Sequence, residues 1–208
     1  MPLKPESSVE RASAGQLRDV ILLAAGNHRA VTLIDGRSGS GKSMVARELF
    51  ASWPDAQLVR LDDVYPGWAG LELASRQVAE RMLAASAPAW QRWDWVLGLP
   101  AEWVTLDATR PLIVEGVGAL SRENRRLASY GIWIELDAET RKRRALERDG
   151  EQYESHWDDW AAQEERFIAR EHPHTLADLV IDERATLSGQ VLPASTSAKS
   201  IGGLRTSA

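Results

Sequence analysis

Residues 31–43 read VTLIDGRSGSGKS, and no other stretch of the chain narrows the fold as far. A run of β-branched and apolar residues leads directly into Gly36-x-x-x-x-Gly41-Lys42-Ser43. Glycines at these positions let the backbone curl so that successive N–H groups point inward at phosphate oxygens, where a Cβ would collide. A helix opening at Lys42 adds its positive N-terminal end to the same anion. The strand–loop–helix context is what separates this pattern from a glycine-rich turn that binds nothing. Gly36, Arg37, Ser38, Gly39, Ser40, Gly41, Lys42, Ser43 and Met44 are therefore expected to hold a nucleotide. Lys42 would reach the β- and γ-phosphates of ATP, and the Ser43 hydroxyl would sit on Mg²⁺.

The remaining chain supplies the strands and helices such a loop needs. Short apolar runs at 57–61, 111–115, 132–136 and 178–182 read as buried strands beside 31–35. Helical spacing is expected over 8–27, 42–53, 70–86, 119–129, 138–148 and 155–170, while 88–110 reads as less regular and rich in tryptophan. Strands alternating with helices predict an α/β three-layer fold, a five-stranded parallel sheet with helices on both faces. Residues 1–187 are read as one domain with a helical lid over about 138–172, and 188–208, rich in Ser, Ala, Thr and Gly, as a disordered tail. Nothing in the sequence sets the oligomeric state, and a homo-oligomer is left open.

Composition excludes several function classes. Net charge is −5 with no basic tail, which argues against duplex nucleic acid. The absence of cysteine removes disulfides, thiol catalysis and thiolate metal sites together. No run approaches a membrane span and the N-terminus lacks a signal-peptide core, so a cytoplasmic protein is expected. Without a matched third ligand, His156, His172 and His174 read as loop residues rather than a zinc site.

In parallel sheets, ligands bind beyond the carboxyl ends of the strands. That rule brings Asp35-Gly36, Asp62-Asp63 and Glu115-Gly116 to one rim. Asp62 or Asp63 could take the proton of an attacking hydroxyl or hold a water on Mg²⁺, the alternative being an Asp pair that shapes a turn. Glu115 is expected to hydrogen-bond a Mg²⁺ water or orient the acceptor. Arg141, Arg144 and Arg148, spaced i, i+3, i+7, share one helix face and suit phosphate oxygens, unless they only form a solvated face with Glu139 and Glu147. Tyr65, Trp68, Trp90, Trp93 and Trp95, with Asp94 between the last two, could build an aromatic acceptor pocket, and Trp157 and Trp160 read as lid packing.

Taken together, these elements resemble the uridine kinase-like group of P-loop kinases, related to phosphoribulokinase and pantothenate kinase. The matching pieces are GRSGSGKS, Asp62-Asp63-Val64-Tyr65, Trp93-Asp94-Trp95, LIVEG at 112–116, Arg141-x-x-Arg144-x-x-x-Arg148-Asp149 and ADLVID, in family order from about 30 to 183. The resemblance implies an ATP-dependent kinase with a small-molecule acceptor, Asp62 as base on the acceptor hydroxyl, Asp94 as a ligand to acceptor hydroxyls, and Arg141 and Arg144 as lid arginines on the ATP phosphates. Catalysis would fall to Lys42, Asp62 and Arg144. Acceptor binding would fall to Asp62, Asp63, Tyr65, Trp68, Trp93, Asp94 and Glu115, and Mg²⁺ to Ser43, Asp63 and Glu115. Two rivals stay open. One is a nucleoside monophosphate kinase, with Arg76, Arg81 or Arg92 reading the acceptor phosphate. The other is a non-catalytic nucleotide-binding regulatory module.

Overall fold

The structure, a computed structural model, describes residues 13–182. The first residues of the helix expected over 8–27, and the tail at 188–208, lie outside the described residues. In chain order the elements are α1 (Ala14–Ala25), β1 (Val31–Asp35), α2 (Lys42–Ala51), β2 (Gln57–Arg60), a 3₁₀ turn (Leu61–Asp63), α3 (Leu71–Gln77) running on as one π-helical stretch (Val78–Met82), β3 (Ala89–Asp94) and β4 (Leu99–Thr105). There follow β5 (Leu112–Glu115), α4 (Arg122–Leu127), β6 (Tyr130–Glu135), α5 (Ala138–Glu154), α6 (Trp157–Glu171), the short α7 (Pro173–Leu176) and β7 (Leu179–Asp182).

Five strands form a parallel sheet in the order β2-β5-β1-β6-β7. Every residue of β1 and β5 is buried, as expected of strands covered on both faces. The period of two divides their side chains between two cores. Leu33 and Val114 pack with Leu71, Met82, Trp160 and Phe167 from α3 and α6. Ile34 and Ile113 pack on the other side with Ile21 of α1 and Leu49 of α2. After β1 the chain travels to the β2 edge, returns to β5, then crosses to β6 on the far side, so the crevice where the strand order reverses lies at β1. In such sheets that crevice is where a ligand docks. Register aligns Ile34 with Glu115 and Arg60 with Glu115, which puts the ends of β1, β2 and β5 on one rim.

The tryptophan-rich segment is not irregular. It folds as an antiparallel hairpin, β3–β4, with a register shift between Gln91 and Trp93. Its strands carry no buried face: β3 is half-buried throughout and β4 mostly exposed. The sequence therefore lacks the alternation that marks a strand, and Pro100 within β4 is tolerated because the strand has an open edge. The helix expected over 119–129 is shorter, because Gly118 to Leu120 form the loop that bonds Asp35 and Ser121 caps α4 through the Asn124 N–H. Gly150 (φ 68°) breaks α5 where Asp149-Gly150 was expected to end it.

Candidate active site

The loop between β1 and α2 is held in a tight curl by glycine where the backbone needs it. Gly41, at φ 97°, stands in the left-handed region as the N-cap of α2. A Cβ on Gly39, at φ 78°, would lie 2.1 Å from the carbonyl oxygen of Arg141, so the start of α5 closes directly onto the loop. Lys42 opens α2 and is buried. The Ser43 hydroxyl donates to Glu115 Oε2 at 3.2 Å, and Glu115, 1% exposed, takes a second bond from Arg60 Nε at 3.3 Å. Burial pushes the Glu115 carboxyl up, Lys42 opposes that shift and Asp62 adds to it.

These residues border a cavity of about 400 Å³. Ser38, Lys42 and Ser43 form one wall, Asp62 and Arg60 another, and Arg47 and Arg148 contribute guanidinium groups. Tyr65, Trp68, Trp95, Tyr153 and Trp160 supply the aromatic surface. Their rings touch one another: Trp68 lies 5.1 Å from Trp95 and 5.4 Å from Tyr153, His156 stacks on it at 4.4 Å, and Tyr65 meets Trp160 edge-on at 4.8 Å. The Tyr65 hydroxyl is committed to Val117 O at 2.8 Å, and burial holds its phenol well above the usual range. Asp62 accepts from Arg60 Nη2 at 3.4 Å and keeps its carboxylate partly open to the cavity.

Of the residues singled out in sequence, Ser38, Lys42, Ser43, Asp62, Tyr65, Trp68, Trp95, Arg148 and Trp160 come together here. Glu115 stands behind Ser43. Others fall elsewhere. Asp94 closes the hairpin, its Oδ1 accepting from the N–H groups of Val96 (2.9 Å) and Leu97 (3.0 Å), and neither it nor Trp93 lines the cavity. Arg141 is buried and approaches the loop from behind, donating to Leu136 O and, at 3.3 Å, to Ser38 O. Arg144 is exposed on α5, Met44 lies in the first turn of α2, and Asp63 is half-buried beside Asp62, its carboxyl raised by burial. Arg76 is exposed, Arg81 sits over the Trp103 ring and Arg92 pairs with Glu102 at 2.7 Å, so none of the three enters the cavity.

Arg47, Arg60 and Tyr153 were not anticipated. A signal existed for Arg47, which lies one helical turn beyond Ser43 and so on the same face. Arg60 lies two residues before Asp62, and no local pattern distinguishes it.

The residues present fit a magnesium nucleotide. The backbone N–H groups at 39–43 and Lys42 would take the phosphates. Ser43 would ligate the ion and Glu115 would hold one of its waters, the arrangement expected of a hard cation that keeps most of its hydration and is bound largely by phosphate oxygens. Among the described residues no group of three or more His, Asp or Glu gathers as a protein-only metal cage. No helix among them is long and apolar enough to cross a membrane.

No protein-family model matches the sequence, and no curated protein matches it. Solved structures do. The chain is similar to a protein from Bacillus stearothermophilus described as a possible uridine kinase, at 19% identity and a TM-score of 0.58, over 81% of this chain and 97% of that one. It is also similar to a protein from Silicibacter sp. TM1040 described as a candidate fructose transport system kinase, at 17% identity and a TM-score of 0.50, over 87% and 97%. What the chain shares with these two structures is the fold, an α/β fold around a five-stranded parallel sheet, as expected from the sequence.

Proposed function

We propose that this protein is an ATP- and Mg²⁺-dependent kinase that transfers the γ-phosphoryl group to a hydroxyl of a nucleoside-like small molecule. The observation that carries the reading is that Lys42 and Ser43 of the phosphate loop share one cavity with the Asp62 carboxylate and a wall of aromatic rings. Phosphoryl transfer asks a protein mainly for positioning and for charge stabilisation, and both are available at this place. The acceptor oxygen bonds to the γ-phosphorus as the bond to the β–γ bridging oxygen breaks, and Asp62 takes the hydroxyl proton. Lys42 and Arg148, with Arg144 one turn earlier on α5, carry the charge that develops on the transferring group. Ser43, with Glu115 behind it, would hold a Mg²⁺ ion there, which would supply neutralisation of phosphate charge. In this reading Arg141 shapes the loop instead of touching the nucleotide, and of the residues expected in the acceptor wall Tyr65, Trp68 and Trp95 serve there while Trp93 and Asp94 do not. The enzyme is cytoplasmic in this reading.

A second reading has a specific observation in its favour. Arg47 and Arg60 both line the cavity, and guanidinium groups near an acceptor suit one that is already phosphorylated. Release of ADP from Mg-ATP, measured against a panel of nucleosides, nucleoside monophosphates, pantothenate and sugars with Lys42→Ala as the blank, separates the two. Stimulation by an unphosphorylated acceptor supports the first reading and stimulation confined to monophosphates the second. ATP binding with no stimulation by any member of a broad panel favours a non-catalytic nucleotide-binding module.

A further inference from the structure

Glu164, in the middle of α6, is 1% exposed and is not among the residues lining the cavity beside the loop. Its carboxylate is nonetheless aimed at the phosphate loop. Oε1 accepts the backbone N–H of Ser38 at 2.8 Å and the Trp160 indole N–H at 3.1 Å. Oε2 accepts Arg37 Nε at 2.9 Å and lies 4.0 Å from Arg141 Nη1.

Ser38 is therefore gripped through every polar atom it has. Its N–H goes to Glu164, its carbonyl accepts from Arg141 at 3.3 Å, and its hydroxyl accepts from Trp160 Nε1 at 3.0 Å and bonds Tyr153. All of these partners belong to α5 and α6, more than a hundred residues along the chain. A buried carboxylate beside a phosphate-binding loop opposes the anion electrostatically, and Arg37 and Arg141 offset that charge. What remains is order. A loop whose tip is already fixed loses less conformational freedom when phosphate arrives.

We propose that Glu164 is a positioning residue of the phosphate loop, holding Arg37 and Ser38 so that the donors at 39–43 are preformed for a nucleotide. The proposal rests on the kinase reading for its ligand, but the brace itself does not. Trp160 extends it, because the ring that bonds Ser38 and Glu164 also packs edge-on against Tyr65 in the acceptor wall.

The test compares wild type, Glu164→Gln and Glu164→Ala in the full chain. Binding of Mg-ATP and of inorganic tripolyphosphate is measured by calorimetry, and exchange of the Ser38 amide by hydrogen-exchange mass spectrometry or NMR without nucleotide. Loss of a charge-assisted bond to the loop predicts binding about 10- to 100-fold weaker in Glu164→Ala. Ser38 exchange should accelerate in that variant. Glu164→Gln, which keeps an oxygen for Ser38 and Trp160 but loses the ion pair with Arg37, should fall between. A folded Glu164→Ala protein that binds both ligands as tightly as wild type overturns the proposal. If Glu164→Ala does not fold, Glu164→Gln carries the same comparison, and wild-type affinity in it overturns the proposal equally. Wild type that binds neither ligand removes the kinase reading instead. Ser38 exchange then decides the brace alone, acceleration in the variant supporting it and unchanged exchange overturning it.

Discussion

The indole N–H of Trp95 donates to the backbone carbonyl of Asp62 at 2.8 Å. Through this bond the β3–β4 hairpin, which has no place in the parallel sheet, reaches the end of β2 and fixes the segment that carries the proposed base. The hairpin thus contributes to the cavity through Trp95, whose ring also contacts Trp68.

Trp95→Phe keeps most of the ring and deletes the bond. It should cost about 1 kcal/mol of stability. It should also raise KM for the acceptor several-fold while leaving KM for ATP within twofold, because the Trp95 indole bonds Asp62 and packs on Trp68, on the acceptor side of the cavity. Steady-state kinetics with both substrates varied provides the check.

Asp62→Asn retains the shape of the side chain and removes its capacity to take a proton. ATP affinity should stay within about threefold of wild type, while turnover falls by a factor of about 10² to 10⁴. Calorimetric ATP binding beside single-turnover kinetics separates the two effects, and retained turnover would remove Asp62 from the base role.

Gly39→Ala tests how closely α5 is seated on the loop. The new Cβ would meet the Arg141 carbonyl at 2.1 Å in a backbone conformation that L residues rarely adopt. The expected loss is about 2–4 kcal/mol, accompanied by weaker ATP binding, as read from denaturant unfolding and calorimetry.

Asp35, at the end of β1, is fully buried and accepts from the N–H groups of Gly36, Gly118 and Leu120. Burial raises its carboxyl from 3.8 to about 7, and those donors together with Lys42 oppose the shift. Because the folded state holds this proton more tightly than the unfolded chain, Asp35 costs nothing below about pH 4. Between about pH 4 and 7 it costs about 1.4 kcal/mol more for each pH unit, and the cost is constant above that window. The stability of Asp35→Asn relative to wild type should accordingly rise with pH through that window and level off above 7. Denaturant unfolding of the two proteins at half-unit pH steps measures it, and a pH-independent difference would show that the carboxyl is not raised.

Much of the fold was legible because its signals are local. The phosphate loop has a fixed spacing, and strands buried on both faces read as unbroken apolar runs such as 112–114. The β3–β4 hairpin was not legible. Its tryptophans pack against residues distant in sequence, and an open, mostly exposed β4 leaves no period of two to read. Asp94 illustrates how a side chain can suit two tasks. Flanked by Trp93 and Trp95 it resembles a ligand-binding carboxylate, yet it occupies a turn, where an Asp that accepts the N–H groups two and three residues onward is equally at home. Glu164 is the reverse case. Within a polar helix it is one carboxylate among several, and only the fold brings it to Ser38.

In the proposed reaction a hydroxyl in the aromatic-walled cavity receives phosphate from the nucleotide seated on the loop. The most direct measurement follows labelled γ-phosphate from ATP into organic product, with wild type, Lys42→Ala and Asp62→Asn run side by side on a metabolite extract containing nucleosides. Wild type should yield a labelled phosphomonoester, Lys42→Ala none, and Asp62→Asn at most about 1% of the wild-type rate. Label appearing only as inorganic phosphate, or equally with all three proteins, would contradict the proposed reaction.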